Sequence, residues 1–119
     1  MDFQAIDAAV CELGGRAVAE SEWGLEIDCA GAPLHVGLRV HRGLLRAQAA
    51  VAWPGTLDPA DLLHRNRSLE LVRYASTRAG EVWVVGDVPA ENADVDRLLG
   101  ALVEAAQAAR LRARSRYAR

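Results

Sequence analysis

The sequence predicts an α+β fold, an antiparallel five-stranded sheet with helices in the order α-β-β-β-α-β-β-α. Three observations predict it. Apolar residues recur at steps of three and four near both ends of the chain, which is the period of a helix. Between these ends, several segments alternate apolar and polar residues, which is the period of a half-buried strand. The links between those segments are short, so successive strands pair as an antiparallel meander.

Each element has its own justification. Phe3, Ile6, Val10 and Leu13 form one helical stripe with Ala9 beside it, and Gly14-Gly15 stops a helix over about residues 2–13. Trp23, Leu25, Ile27 and Cys29 alternate with Glu22, Glu26 and Asp28, giving the first strand, which ends at Gly31-Ala32-Pro33. Leu34, Val36, Leu38 and Val40 alternate with His35, Arg39 and His41 in the second. After the turn at Arg42-Gly43, Leu45, Ala47, Ala49, Val51 and Trp53 form the inward face of the third, and Pro54-Gly55 ends it. Asp58-Pro59 is a helix start, with Asp58 capping free amides and Pro59 in the first turn. The short helix runs to about Arg67 with Leu62 and Leu63 on its apolar face and His64, Arg65 and Arg67 outside. Leu69, Leu71, Val72 and Tyr74 suit a strand, Arg78-Ala79-Gly80 a turn, and Val82–Val85 a last strand that Pro89 stops. Val95, Leu98, Leu99, Leu102, Val103, Ala106 and Ala109 mark a long final helix over about residues 93–114, capped by Asn92 or Asp94.

Length and composition bound the function. A chain of 119 residues fits one domain spanning 1–119 and buries roughly two-thirds of its unfolded surface, so it folds without a metal or a disulfide. Only six residues are aromatic, so the core is built from Leu, Val and Ala. All 14 basic residues are arginine, which with the many alanines reads as the codon bias of a GC-rich bacterial genome. Cys11 and Cys29 form no CxxC motif, and both sit at apolar-pattern positions, where a thiol acts as a small buried hydrophobe. No signal peptide or membrane span is visible, so the expectation is a soluble cytoplasmic protein. Charge is uneven: residues 1–109 hold 9 arginines against all 16 acids, a balance of −7, while residues 110–119 carry +5 from Arg110, Arg112, Arg114, Arg116 and Arg119. An acidic body thus carries a basic helical tail at 110–119.

No catalytic, metal or cofactor signature stands out. His35 and His41 share a strand face but lie six residues apart, about 20 Å at the rise of a strand, and cannot share an ion. There is no GxSxG elbow, no GxxxxGK[ST] and no GxGxxG. Asp94 and Asp96 fall on different helix faces and read as helix-start residues. The tail "RLRARSRYAR" offers Arg110, Arg112, Arg114 and Arg116 with Tyr117 as an alternative nucleic-acid contact, against which stand the acidic body and a spacing that spreads charge around the helix. The bland reading is a solvated helix end. The apolar excess points elsewhere. Trp83 lies opposite Val82 and Val84, and Leu71 adjoins Val72, so two strands are apolar on both faces and need cover on both.

The order of elements and the stretch "LLHRNRSLELVRYASTRAGEVWVVGDVPAENADVDRLLGALVEAAQAA" resemble the type III secretion chaperone-like superfamily, and within it the YbjN family. Leu62, Leu63 and Asn66 match a leucine-rich "LLxxN" motif on the short helix, and Leu98, Leu99 and Leu102 match the final helix in position. The resemblance covers residues 62–109 best and residues 1–55 in element order alone. It implies a small, acidic, non-enzymatic homodimer that holds a segment of a partner protein; the basic tail is no part of that pattern. The expectation is therefore a chaperone-like or regulatory adaptor with no cofactor. Leu62, Leu63, Leu69 and Leu71 form its dimer interface, and Trp23, Trp53 and Trp83 contact an unidentified partner protein.

Overall fold

The computed structural model describes residues 3–117, with side chains through Arg114. Its elements run α1 (Phe3–Glu12), β1 (Arg16–Ala19), β2 (Glu22–Cys29), β3 (Ala32–His41), β4 (Leu44–Ala52), α2 (Pro59–Asn66), β5 (Val72–Ser76), β6 (Val82–Pro89) and α3 (Val95–Tyr117). The strands form one six-stranded antiparallel sheet in the order β1-β2-β3-β4-β6-β5.

The sixth strand corrects the five expected. It is β1, an edge strand whose four residues are all exposed. A strand with no buried residue shows no burial alternation, and periodicity cannot reveal it. Two boundaries also move. β4 ends at Ala52, so Trp53 is not the last inward residue of a strand. β5 begins at Val72, and Leu71 before it takes φ +66°, a left-handed conformation that breaks the expected run from Leu69 to Tyr74. Cys11 is exposed on α1 and only Cys29 is buried, against the expectation of two buried thiols.

Elsewhere the alternation lands as read. Leu34, Val36, Leu38 and Val40 of β3, and Leu45, Ala47, Ala49 and Val51 of β4, face the core. α3 lies across this face, burying Leu98, Leu102, Ala105, Ala106 and Ala109 against β4, β6, β5 and β2. Alanines on both surfaces let helix and sheet approach closely. Ile6 and Val10 of α1 close one end of the same core. Asp58 caps α2 through Ala60 N–H, with Pro59 in the first turn, and Asp94 caps α3 by accepting from Arg97 N–H at 3.0 Å. The β2–β3 and β3–β4 links each place two residues at positive φ, Ala30-Gly31 at 56° and 81° and Arg42-Gly43 at 52° and 77°. Such two-residue turns match the twist of paired strands.

The helices leave the other sheet face open. On it lie Arg39 and His35 of β3, Arg46, Gln48 and Ala50 of β4, and Trp83 and Asp87 of β6, with Val85 buried between these two.

Candidate partner-binding surfaces

The four leucines expected at a dimer surface divide. Leu62 is 7 % exposed and belongs to the chain's own core, whereas Leu63, the next residue of α2, is 69 % exposed. Leu69 and Leu71 are half-buried against the core. Both line a groove of about 730 Å³ between the α2–β5 link and α3, with Tyr74, Gly100, Ala101 and Ala105. Asn66 fixes the link's geometry. Its side-chain amide donates to the Tyr74 carbonyl at 3.1 Å and accepts from Tyr74 N–H at 2.7 Å. One side chain thus stands in for a neighbouring strand at the outer edge of β5. The Tyr74 hydroxyl donates to the Ala105 carbonyl at 2.7 Å, and burial pushes its pKa above the usual tyrosine value.

The tryptophans occupy three different settings. Trp23 is buried in the core, donating from Nε1 to Asp7 at 3.0 Å, with its ring 6.3 Å from that of Phe3. Trp83 is half-buried on the open sheet face, donating to Glu81 at 2.6 Å, and with Val85, Ala75 and Gln48 it rims a shallow depression. Trp53 is 77 % exposed.

Trp53 stands at a split in the sheet. β3 and β4 are in register only from Gly37 opposite Gln48 to His41 opposite Leu44. Beyond that point residues 32–36 stay paired with β2, and residues 49–52 stay with β6 past a bulge between Ala50 and Ala52. Pro33 fits the parting. Val40 N–H bonds back to Ser21, so by strand alternation the odd-numbered residues of β3 direct their backbone toward β4. Pro33 has no N–H to give, which suits a strand position without a neighbour. The resulting cleft, about 520 Å³, is lined by Ala32, Ala50, Val51, Ala52 and Trp53, with Arg110 and Arg114 of α3 beneath.

The tail arginines are engaged, not simply solvated. Arg110 donates to the carbonyls of Cys29, Ala32 and Pro33 at 3.0, 3.0 and 2.9 Å. Arg114 donates to the Ala30 carbonyl at 2.6 Å, and Arg112 pairs with Asp61 of α2 at 2.6 Å. The side chain of Arg116 lies outside the described residues. Residues 110 and 114 are four apart and share one helix face, a spacing legible in the sequence that alternation by two had obscured. Neither of these two pairs with a carboxylate among the described residues.

On the open face Asp87 accepts from Arg46 at 2.6 and 3.1 Å and from Arg73 at 3.4 Å. The Arg46 hydrogen bond is the main reason its carboxyl sits below the usual aspartate range. His35 and Glu26 lie 3.1 Å apart, but both are largely exposed and the pair contributes little. Among the described residues no cluster of three or more His, Cys, Asp or Glu could hold a metal, and no described helix is long and apolar enough to cross a membrane.

The fold, with helices on one face of an antiparallel sheet, is of a kind already seen in a solved type III secretion complex. The chain is similar to a chain of the heterodimeric complex ExoU–SpcU from the type III secretion system of Pseudomonas aeruginosa, with a TM-score of 0.67 and 20 % identity over 90 % of this chain and 96 % of that one. No family model matches the chain, and no curated protein matches it.

Proposed function

We propose that the protein is a non-catalytic, cytoplasmic chaperone-like or regulatory adaptor that holds a segment of a partner protein. The observation that carries this reading is the shared fold, in which nearly the whole of this chain superposes on nearly the whole of one member of a heterodimeric secretion complex. The surface supports it. Trp53, Leu63 and Val18, on three different elements, are 77, 69 and 62 % exposed and open to a partner. The "LLxxN" stretch favours the YbjN-like branch of the fold and a homodimer.

Leu63 on α2, with Leu69 and Leu71 at the adjoining groove, is the dimer surface in this reading, and Leu62 supports it from within. Because Leu63 is exposed, Leu63→Glu leaves the core intact and yields a folded monomer in sedimentation equilibrium at micromolar concentration, where the parent chain is a dimer. A variant as dimeric as its parent refutes this surface.

A further inference from the structure

We propose that the cleft between β3 and β4 takes an extended, acidic segment of another protein. The proposal rests on the partner-binding reading above and names the site and the chemistry of its occupant.

Three features converge there. The first is unpaired backbone. By strand alternation His35 of β3 and Ala50 of β4 direct their backbone groups toward the split, and no register pair joins the two strands there. An extended chain entering between them supplies what the parted strands lack, as in strand addition at a sheet edge. The second is apolar cover. Val51 and Ala32 line the wall, and Trp53, 77 % exposed, stands over the opening with no role in the chain's own core. The third is charge. Arg110 and Arg114 form the floor, and their hydrogen bonds go to uncharged carbonyls. Their positive charge therefore remains for a ligand. Glu81 at the rim is the one acid among the lining residues, and its carboxylate already accepts from Trp83 Nε1. The body of the chain carries −7 over residues 1–109, so this floor is a local positive site on an acidic protein. An acidic segment is drawn to the cleft and repelled elsewhere. Nucleic acid is also anionic, but its backbone offers no row of alternating N–H and C=O groups to complete the split.

The test is selection from a phage-displayed library of random peptides, each about ten residues long, a length that spans a strand-addition site. Oligothymidylate serves as a competitor. Selected peptides are expected to alternate apolar residues and carry Asp or Glu. They should slow amide exchange at His35 and Ala50 and resist oligothymidylate. Affinity should fall about tenfold in Trp53→Ala, as for an aromatic interface anchor, and comparably in Arg114→Glu. Both side chains are exposed, so both variants fold. Peptides that bind but protect the α2–α3 groove or the β1 edge instead would overturn the cleft and leave the adaptor reading standing. No enrichment over Trp53→Ala would overturn the cleft as well, with Leu63→Glu remaining an independent test of the dimer. Displacement by oligothymidylate at the same amides would replace the peptide with nucleic acid.

Discussion

Replacing Arg110 with alanine tests whether the end of α3 holds the β2–β3 hairpin in place. The guanidinium makes three hydrogen bonds of 2.9–3.0 Å to the carbonyls of Cys29, Ala32 and Pro33. A hydrogen bond to a charged group contributes roughly 1.5–3 kcal/mol where water is excluded. Here the site is partly open, and water replaces the donor once it is gone, so the three together contribute about 2 kcal/mol. The methylene stem adds packing that alanine also removes. For a domain of this length, 2 kcal/mol corresponds to a Tm lower by about 8 °C. Thermal melts by circular dichroism, checked by urea titration, measure it. Arg110→Lys separates charge from geometry. A single ammonium keeps the charge but cannot fork to three carbonyls on two sides of a turn, so it should recover less than half of the loss. If Arg110→Ala melts within about 1 °C of the parent, the hairpin does not depend on this side chain and the reasoning fails.

Four further outcomes follow from the same geometry. A Cβ on Gly86 would meet Val72 Cγ1 at 2.7 Å, Leu71 O at 2.9 Å and Leu98 Cδ1 at 2.9 Å, so Gly86→Ala should cost about 1–3 kcal/mol by overpacking, read as a lower urea midpoint. Asn66→Ala removes both bonds to the Tyr74 backbone and should cost about 1–2 kcal/mol, with Asn66→Asp intermediate because it keeps only the acceptor. The carboxyl of Asp87 titrates below its unfolded value, so its contribution is present at neutral pH and disappears as pH falls through the acid range, and Asp87→Asn should flatten that part of the stability–pH curve. The raised Tyr74 pKa works in the opposite direction: its contribution is full below the unfolded tyrosine value near pH ~10 and is lost as pH rises through the folded one, which Tyr74→Phe should abolish.

Much of this architecture was legible because burial imposes a period. Where one face of an element packs on the core, the residue pattern must repeat every two or every three to four positions, and β2, β3, β4, α1 and α3 were readable for that reason. β1 has no buried residue and left no such mark. Leu69 and Leu71 looked like strand because they are apolar and lead into Val72, yet the positive φ at Leu71 is a backbone event that composition does not encode. Trp53 continued the inward alternation of β4 on paper; the strand ends one residue earlier, and the side chain turns out to solvent. The clamp by Asn66 was half-visible. The motif marked the residue, but its partner lies eight residues on, and only the fold brings the two together. The split in the sheet had one sequence signal, Pro33 at the start of β3, a position with no N–H to give to a neighbouring strand.

The tail carries the decisive contrast between the two functions considered. A phosphate grip needs guanidinium groups that are aligned and supported by a basic surface. In this chain Arg110 is held by three carbonyls and Arg112 by Asp61, and Arg114 leans on the Ala30 carbonyl. A nucleic acid would meet the repulsion of a body that carries 16 acids and 9 arginines. The same contacts place two positive charges under an apolar cleft with open backbone edges, and that combination serves a peptide better than a phosphate chain. The arginines that the sequence offered as a solvated helix end, or alternatively as a nucleic-acid contact, instead join elements of this fold: Arg110 and Arg114 hold the β2–β3 hairpin and Arg112 holds α2.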